Sequence, residues 1–583
     1  MKLARMVVRP LARLAGAAVL ALAIGSFAAS AQTATVANPK VTGPIPVHGA
    51  LGDKARDYPW FTTQHNLAAV GYVEEEYFYE GTASQFDTPT GADGTLKDSG
   101  HKYRTRLIVR RPIDPKKFNG TVLAEWQNVT AGYDLDAHWE STFEQIVRGG
   151  YAWVGISAQR VGVQQEPNGL KLYSPTRYAS LDVTDNGTLT KDELSYDIFA
   201  QGVQAVKHPQ GVSPLGPLKA QRVIAIGASQ SAARLGIYIN SLHKQLGSPV
   251  DAYLVFIGGA RIRDDIPVPV MKILSETDAI GQVPSRQPDT RKFVEWEVTG
   301  ASHAGRHLSL NSGSLNRRDG IVREAPVCTY PMFPRTPIDN VLGASYDLID
   351  KWVKTGTPPQ SAPKAEVESK QGELPTRAGE PARTGTVYDY KRDARGNALG
   401  GIRLAEFDVA TSLSTRDNTG NTFCRLYGRY EPFSDDVINQ LYPTHAAYVD
   451  AVNKQTDANL KDGYIQAADA KRTKTRAANS YIGSGDPCKA ACRAAQDLED
   501  STYYFLGLNR DVDKLGADVS AITRQIAKAD GAKGKPSDRQ AALKGLDIYI
   551  SRIGAMEKSN AITAVAAKEL VTAAEGVKKM VSV

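Results

Sequence analysis

The stretch VIAIGASQSAARLGIYI, residues 223–239, decides how the rest of the chain is read. Its first half is a short apolar run suited to a buried strand, and its second half carries apolar residues at helical spacing. Between them Gly227-Ala228-Ser229-Gln230-Ser231 must turn the chain sharply. Two readings fit. Ser229 caps a helix and does nothing more, or it is a nucleophile held out on a strand–turn–helix elbow. A serine hydroxyl becomes a useful nucleophile only when a base removes its proton and donors steady the oxyanion formed on attack. An elbow supports both: it exposes Oγ and aims the following N–H, with the positive end of a helix dipole, at the developing charge. The usual pattern is G-x-S-x-G. Here Ser231 replaces the last glycine, which weakens the motif.

The flanking sequence supplies the context that an elbow requires. TVLAEWQNV (121–129), YAWVGISAQ (151–159), RVIAIGAS (222–229), AYLVFIGG (252–259), PVMKILSE (269–276) and KFVEWEVTG (292–300) read as strands. DAHWESTFEQIVRGG (136–150), SYDIFAQGVQAVK (195–207) and QSAARLGIYINSLHKQLG (230–247) lie between some of them and read as amphipathic helices. Near-continuous apolar strands alternating with such helices predict a mostly parallel sheet covered on both faces, an α/β fold, with ligands beyond the carboxyl ends of the strands. YVEEEYFYEGTASQF (72–86) and KYRTRLIVRRP (102–112) predict antiparallel strands extending one edge.

Partners for Ser229 should follow it in the order acid, then histidine. The strand 269–276 ends at Glu276 and Asp278, and the strand 292–300 is followed by His303, 25 residues after Asp278. His303 is the candidate base. Either Asp278, on the loop, or Glu276, nearer the strand end, can orient its imidazole. His307, one helical turn on, is a weaker candidate, and His65, His138 and His208 lack comparable context. For the oxyanion hole the natural donors are Gln230 N–H and a backbone N–H near Asn128 or Val129, in the loop after the strand 121–129.

With these segments in order, YVEEEYFYEGTA, FNGTVLAEWQNVTAGYD, GYAWVGISAQRVGV, SYDIFAQ, IGASQSAARL, SETD, GASHAG and DARGNALGGIR, the chain resembles the exported bacterial "alpha/beta hydrolase domain" proteins, a branch of the serine hydrolase superfamily. The resemblance runs from about residue 70 to about 480 and implies an α/β-hydrolase fold with Ser229, His303 and an acid from SETD as a catalytic triad. It implies no substrate.

The 583 residues hold more than one domain's worth of chain. Residues 1–31 combine Lys2, Arg5, Arg9 and Arg13 with a short apolar segment and Ala29-Ser30-Ala31, the pattern of a cleaved secretory signal peptide. Of the net charge of +7, four charges lie in that leader; the remainder is too mild to argue for nucleic acid, and no later segment reads as a membrane span. Residues 32–485 read as the hydrolase domain, with a Pro-, Lys- and Glu-rich solvated connector at 360–392, and 486–583 as a C-terminal helical extension able to contact a partner or cell-envelope component. Cys328, Cys424, Cys488 and Cys492 allow three pairings; 328–424 with 488–492 is preferred.

DVTDNGTLTKDE (182–193) has the outline of a calcium loop, with Asp182, Thr184, Asn186, Thr188 and Glu193 as oxygen ligands and Gly187 at the sharp turn. Thr184 stands where Asp or Asn is usual, and the stretch reads better as a polar turn before a helix. The expected activity is therefore that of a periplasmic or secreted serine hydrolase acting on a small-molecule carboxylic ester, with no cofactor needed for the chemistry and structural calcium as an option. The alternative is a binding protein that keeps the scaffold without activity.

Overall fold

The structure is a computed structural model describing residues 36–374 and 383–582. The leader read at residues 1–31 lies outside them. A ten-stranded sheet organises the main body: β1 (Lys40–Thr42), β2 (Tyr72–Asp87), β3 (Thr95–Pro112), β4 (Thr121–Trp126), β5 (Ala152–Ile156), β6 (Gln210–Gly211), β7 (Arg222–Ala228), β8 (Ala252–Phe256), β9 (Val270–Ser275) and β10 (Phe293–Val298). The spatial order is β10-β9-β8-β7-β4-β5-β3-β2-β1-β6. From β5 to β10 every neighbouring pair is parallel, and β3 and β2 add long antiparallel strands beyond β5. This is the α/β-hydrolase fold.

The apolar strands are buried on both faces because alternate side chains point opposite ways. In β7, Val223 and Ala225 join one core cluster while Ile224, Ile226 and Ala228 join the other. β4 and β8 divide in the same manner: Val122, Ala124 and Trp126 lie opposite Leu123, and Tyr253 and Val255 lie opposite Ala252, Leu254 and Phe256. The topology reverses between β7 and β4, so the carboxyl ends of β4, β7, β9 and β10 open onto one side of the sheet, where a ligand crevice belongs.

The described parts of the 360–392 connector, 360–374 and 383–392, hold strands that the composition does not announce. Val367–Glu373 (β11) and Thr384–Tyr390 (β12) pair as an antiparallel ribbon, with Val367 opposite Tyr390. Its Val, Thr and Tyr residues satisfy a strand pattern that the surrounding Pro, Lys and Glu conceal. Two short strands, β13 (Ser412–Thr415) and β14 (Arg429–Pro432), follow.

Beyond residue 486 four helices, Ala490–Leu506, Val512–Asp530, Pro536–Lys558 and Ala564–Ser582, enclose a core of their own around Leu498, Val519, Leu546 and Leu570. They dock on the main body through Arg306–Asp497 (2.8 Å), Arg317–Glu569 (2.6 Å) and Thr563 Oγ1 donating to Gln64 O (2.6 Å). Cys328 is bonded to Cys424 and Cys488 to Cys492. Among the described residues no helix is long and apolar enough to cross a membrane.

Candidate active site

β7 ends at Ala228, and the helix Gln230–Ile237 begins two residues later, with Ser229 at φ 56° and ψ −114°. That backbone geometry is strained for a residue with a Cβ and is held by neighbours. Ser229 N–H donates to Phe256 O at the end of β8 (3.0 Å), and Ser229 O accepts from Ala233 N–H (3.0 Å). A Cβ on Gly227 would lie 3.0 Å from Ser231 O, which is why that position is glycine. Ser231 itself is fully buried and points back into the turn. Its Oγ accepts from Ala228 N–H (3.0 Å) and donates to Ala228 O (2.9 Å). The residue that departs from the usual motif braces the elbow.

His303 follows β10, and its Nε2 lies 2.8 Å from Ser229 Oγ. Its Nδ1 lies 2.7 Å from Asp278 Oδ1, while Ser275 Oγ donates to Asp278 Oδ2 (2.5 Å). Serine, histidine and aspartate thus form one continuous hydrogen-bonded chain. Burial pushes the His303 imidazole down, the Asp278 charge and hydrogen bond push it up, and Arg425 pushes it down; the net displacement is upward.

Glu276, the other acid weighed for this position, points elsewhere. It is buried, accepts Gly300 N–H (2.7 Å) and Arg416 N–H (3.3 Å), and lies 3.4 Å from Arg392. Tyr390 OH, from the β11–β12 ribbon, donates to its carbonyl (2.6 Å). Burial raises its carboxyl pKa, against Arg392 and the two N–H donors. Glu276 ties together the strand ends that carry Asp278 and His303.

Gln230 N–H, at the first turn of the helix, has no acceptor among the described residues. Asn128 is a correction to the expected donor set. Its N–H donates to Leu135 O (3.2 Å) because the loop closes on itself in a bridge between these residues, so it is not free for an oxyanion. Its side chain instead ties the loop to the elbow through Nδ2 to Ala228 O (2.9 Å). Val129 N–H faces only the Gln230 side chain, at a long 3.4 Å. Gln230 also donates to Gln159 Oε1 (3.2 Å), which accepts Trp126 Nε1–H (3.0 Å). Among the described residues, Gln230 N–H is thus without an acceptor and Val129 N–H is held only by the long contact to Gln230 Oε1. Gln159, just after β5, and Ser275, the last residue of β9, lie in stretches the sequence singles out, but nothing in the local pattern shows that their side chains reach Gln230 and Asp278.

The other histidines are accounted for by packing. His307 Nδ1 pairs with Asp339 (2.7 Å), and its ring meets Tyr504 of the extension at 3.6 Å. His138 Nδ1 lies 3.0 Å from Tyr346 OH in the core. His65 stacks on Phe143, and His208 closes the helix Ser195–Lys207.

In the 182–193 loop the Asp182 carboxylate is occupied by protein donors. It accepts Gln164 Nε2–H (2.7 Å), Thr184 Oγ1–H (2.7 Å) and Asn186 N–H (2.5 Å). Thr188 Oγ1 donates to Asp185 O (3.0 Å), and Glu193 accepts Lys191 N–H (2.8 Å). The loop is organised as a polar turn. Among the described residues no group of three or more His, Cys, Asp or Glu side chains is arranged to hold a metal ion.

No curated protein matches the sequence. Among solved structures the chain is similar to the esterase Est22, with 14% identity, a TM-score of 0.25, and 43% of this chain and 79% of that one covered. It is also similar to a prolyl endopeptidase, with 10% identity, a TM-score of 0.22, and 43% and 45% covered, so less than half of that chain is spanned. A family model described as "Alpha/beta hydrolase domain" matches residues 41–475, and the chain belongs to that family.

Proposed function

We propose that this chain is a serine hydrolase that cleaves a small-molecule carboxylic ester. The observation that carries the reading is the unbroken relay Ser229 Oγ–His303 Nε2 and His303 Nδ1–Asp278 Oδ1, at 2.8 and 2.7 Å, on a strained elbow. Ser229 Oγ attacks the ester carbonyl carbon while its proton passes to His303. Asp278 holds the imidazole in the tautomer that leaves Nε2 free, and it stabilises the imidazolium formed. Gln230 and Val129 N–H receive the oxyanion; for Val129 this requires the Gln230 side chain to yield its place. His303 then protonates the departing alkoxide, leaving an acyl-serine. A water deprotonated by His303 attacks the acyl carbon, and collapse of the second oxyanion releases the acid and restores Ser229.

Two disulfides support work in an oxidising compartment, periplasmic or extracellular, in keeping with the leader read at residues 1–31. The reading of an inactive scaffold rests on Ser231 and on the C-terminal helical extension; the Ser231 hydroxyl supports the elbow rather than obstructing it. The test is intact-mass analysis after treatment with a fluorophosphonate, wild type against Ser229→Ala. One adduct per chain, lost in the variant, is expected. No adduct on folded wild-type protein would overturn the reading.

A further inference from the structure

Two exposed arginines, Arg323 and Arg425, lie on segments that adjoin the His303 loop and the loop carrying Val129, and neither is ion-paired among the described residues. Both belong to the segments 321–337 and 415–432, here called the cap, which the Cys328–Cys424 bond fastens together. The cap is pressed against the catalytic loop: Ala304 N–H, next to His303, donates to Leu426 O (2.9 Å), and Phe333 N–H donates to Tyr427 O (3.0 Å). A Cβ on Gly428 would lie 3.0 Å from the Ser302 side chain, so the short helix Cys424–Tyr427 sits directly on the His303 loop. Arg425 is the exposed residue of that helix, beside Leu426. Its charge reaches the site, since it pushes the His303 imidazole down.

Arg323 stands on the other limb of the cap. Its guanidinium lies 5.0 Å over the Phe423 ring, next to Cys424, and Nη1 donates to Tyr133 OH at a long 3.4 Å. Tyr133 belongs to the loop that presents Val129 N–H. One arginine therefore borders the base and the other borders the oxyanion loop.

The acids in their neighbourhood are engaged by other groups. Glu324 accepts from Asn421 Nδ2 (2.6 Å), Asp417 pairs with Arg392 (3.1 Å), and Asp278 holds His303. Elsewhere on this face the cap arginines do have carboxylates: Arg416 faces Asp389 at 3.6 Å, and Arg429 binds Glu431 at 2.8 Å. Two guanidiniums left without anions among the described residues, on segments that border the two loops of the candidate site, favour a substrate that brings its own, because a charge-assisted pair with a guanidinium adds both affinity and orientation.

We infer that Arg323 and Arg425 select esters that carry a free carboxylate beside the scissile bond. This deepens the esterase reading and rests on it. The test compares kcat/KM for two matched pairs: p-nitrophenyl valerate against mono-p-nitrophenyl glutarate, with the carboxylate on the acyl side, and phenyl acetate against 4-carboxyphenyl acetate, with the carboxylate on the leaving group. Wild type is set against Arg323→Ala/Arg425→Ala and the charge reversal Arg425→Glu, each checked by thermal melt and fluorophosphonate labelling. Using the anionic-to-neutral ratio within each protein cancels the intrinsic reactivity of the esters.

In at least one pair the ratio should fall about ten-fold in the double variant, and further in Arg425→Glu. Raising NaCl should lower the wild-type ratio and leave that of the double variant flat. Ratios that are the same in all three proteins overturn the carboxylate assignment while the hydrolase reading stands. If wild type turns over none of the four esters and takes no fluorophosphonate, the hydrolase reading falls and the assignment falls with it.

Discussion

At the scale of single residues, two acids two positions apart do different work. Asp278 touches the imidazole, whereas Glu276 accepts backbone N–H groups from Gly300 and Arg416. Asp278→Asn removes the acceptor that fixes the His303 tautomer, so turnover should fall by about 10³–10⁴ with little change in Tm. Glu276→Gln presents an amide NH₂ where two backbone N–H groups converge, and should cost about 1–3 kcal/mol of stability. Measuring kcat and Tm side by side separates the two; a reversed pattern would assign the triad acid to Glu276. The pH profile supplies a further check. His303 must be neutral to act as base, and its net pKa is raised, so the acid limb of kcat/KM should lie above the ordinary imidazole value. Arg425 opposes that rise, so Arg425→Ala should move the limb to higher pH. The order Ser229, acid, His303 was legible because strand ends are marked in sequence by where apolar runs stop. The choice between Glu276 and Asp278 was not. Both follow the same strand, and only the helix beginning at Glu276 decides which carboxylate faces His303.

At the scale of elements, the parallel strands were legible because burial on both faces writes them as continuous apolar runs, and all six expected strands from 121 to 300 are present. The β11–β12 ribbon was not. Of its residues only Tyr390 is buried, so no buried face imposes an alternation on its sequence. It nevertheless reaches the site, through Tyr390 OH on Glu276 O. The sequence points to the loop after β4 for oxyanion donors, but which of its N–H groups is already engaged depends on its internal bridge, Asn128 to Leu135, a pairing no local pattern announces. The elbow shows the opposite case, in which an apparent defect has a use. Ser231→Ala would strip Ala228 N–H of its hydroxyl partner inside the protein, an orphaned buried donor worth about 1–3 kcal/mol. Thermal melts should show that loss, and kcat should drop with it, because Ala228 sets the position of Ser229. An unchanged Tm would mean that the turn is held without Ser231.

At the scale of the whole molecule, the main body buries titratable groups whose effects on stability oppose one another. Burial holds His65 and His138 near a pKa of about 3 and His243 near about 4. Each binds a proton only in the unfolded chain below its ordinary pKa, so each withdraws stability as pH falls below about 6.5. Glu140 acts in the other direction. It is buried in the helix Ala137–Arg148, neither carboxylate oxygen has a hydrogen-bond partner among the described residues, and burial pushes its pKa up to about 8 against the nearby Arg110. The native state therefore keeps a proton that the unfolded chain releases above about 4.5. The stability this lends is fully present below that value, declines as pH rises, and is gone once pH passes about 8. Glu140→Gln replaces the carboxyl with a neutral group of the same shape and removes that dependence. Its Tm should match wild type near pH 4.5, exceed it by a margin that grows through the neutral range, and hold that margin above pH 8. A constant difference across the range would mean that Glu140 is ionised in the folded protein, with Arg110 rather than burial governing its state.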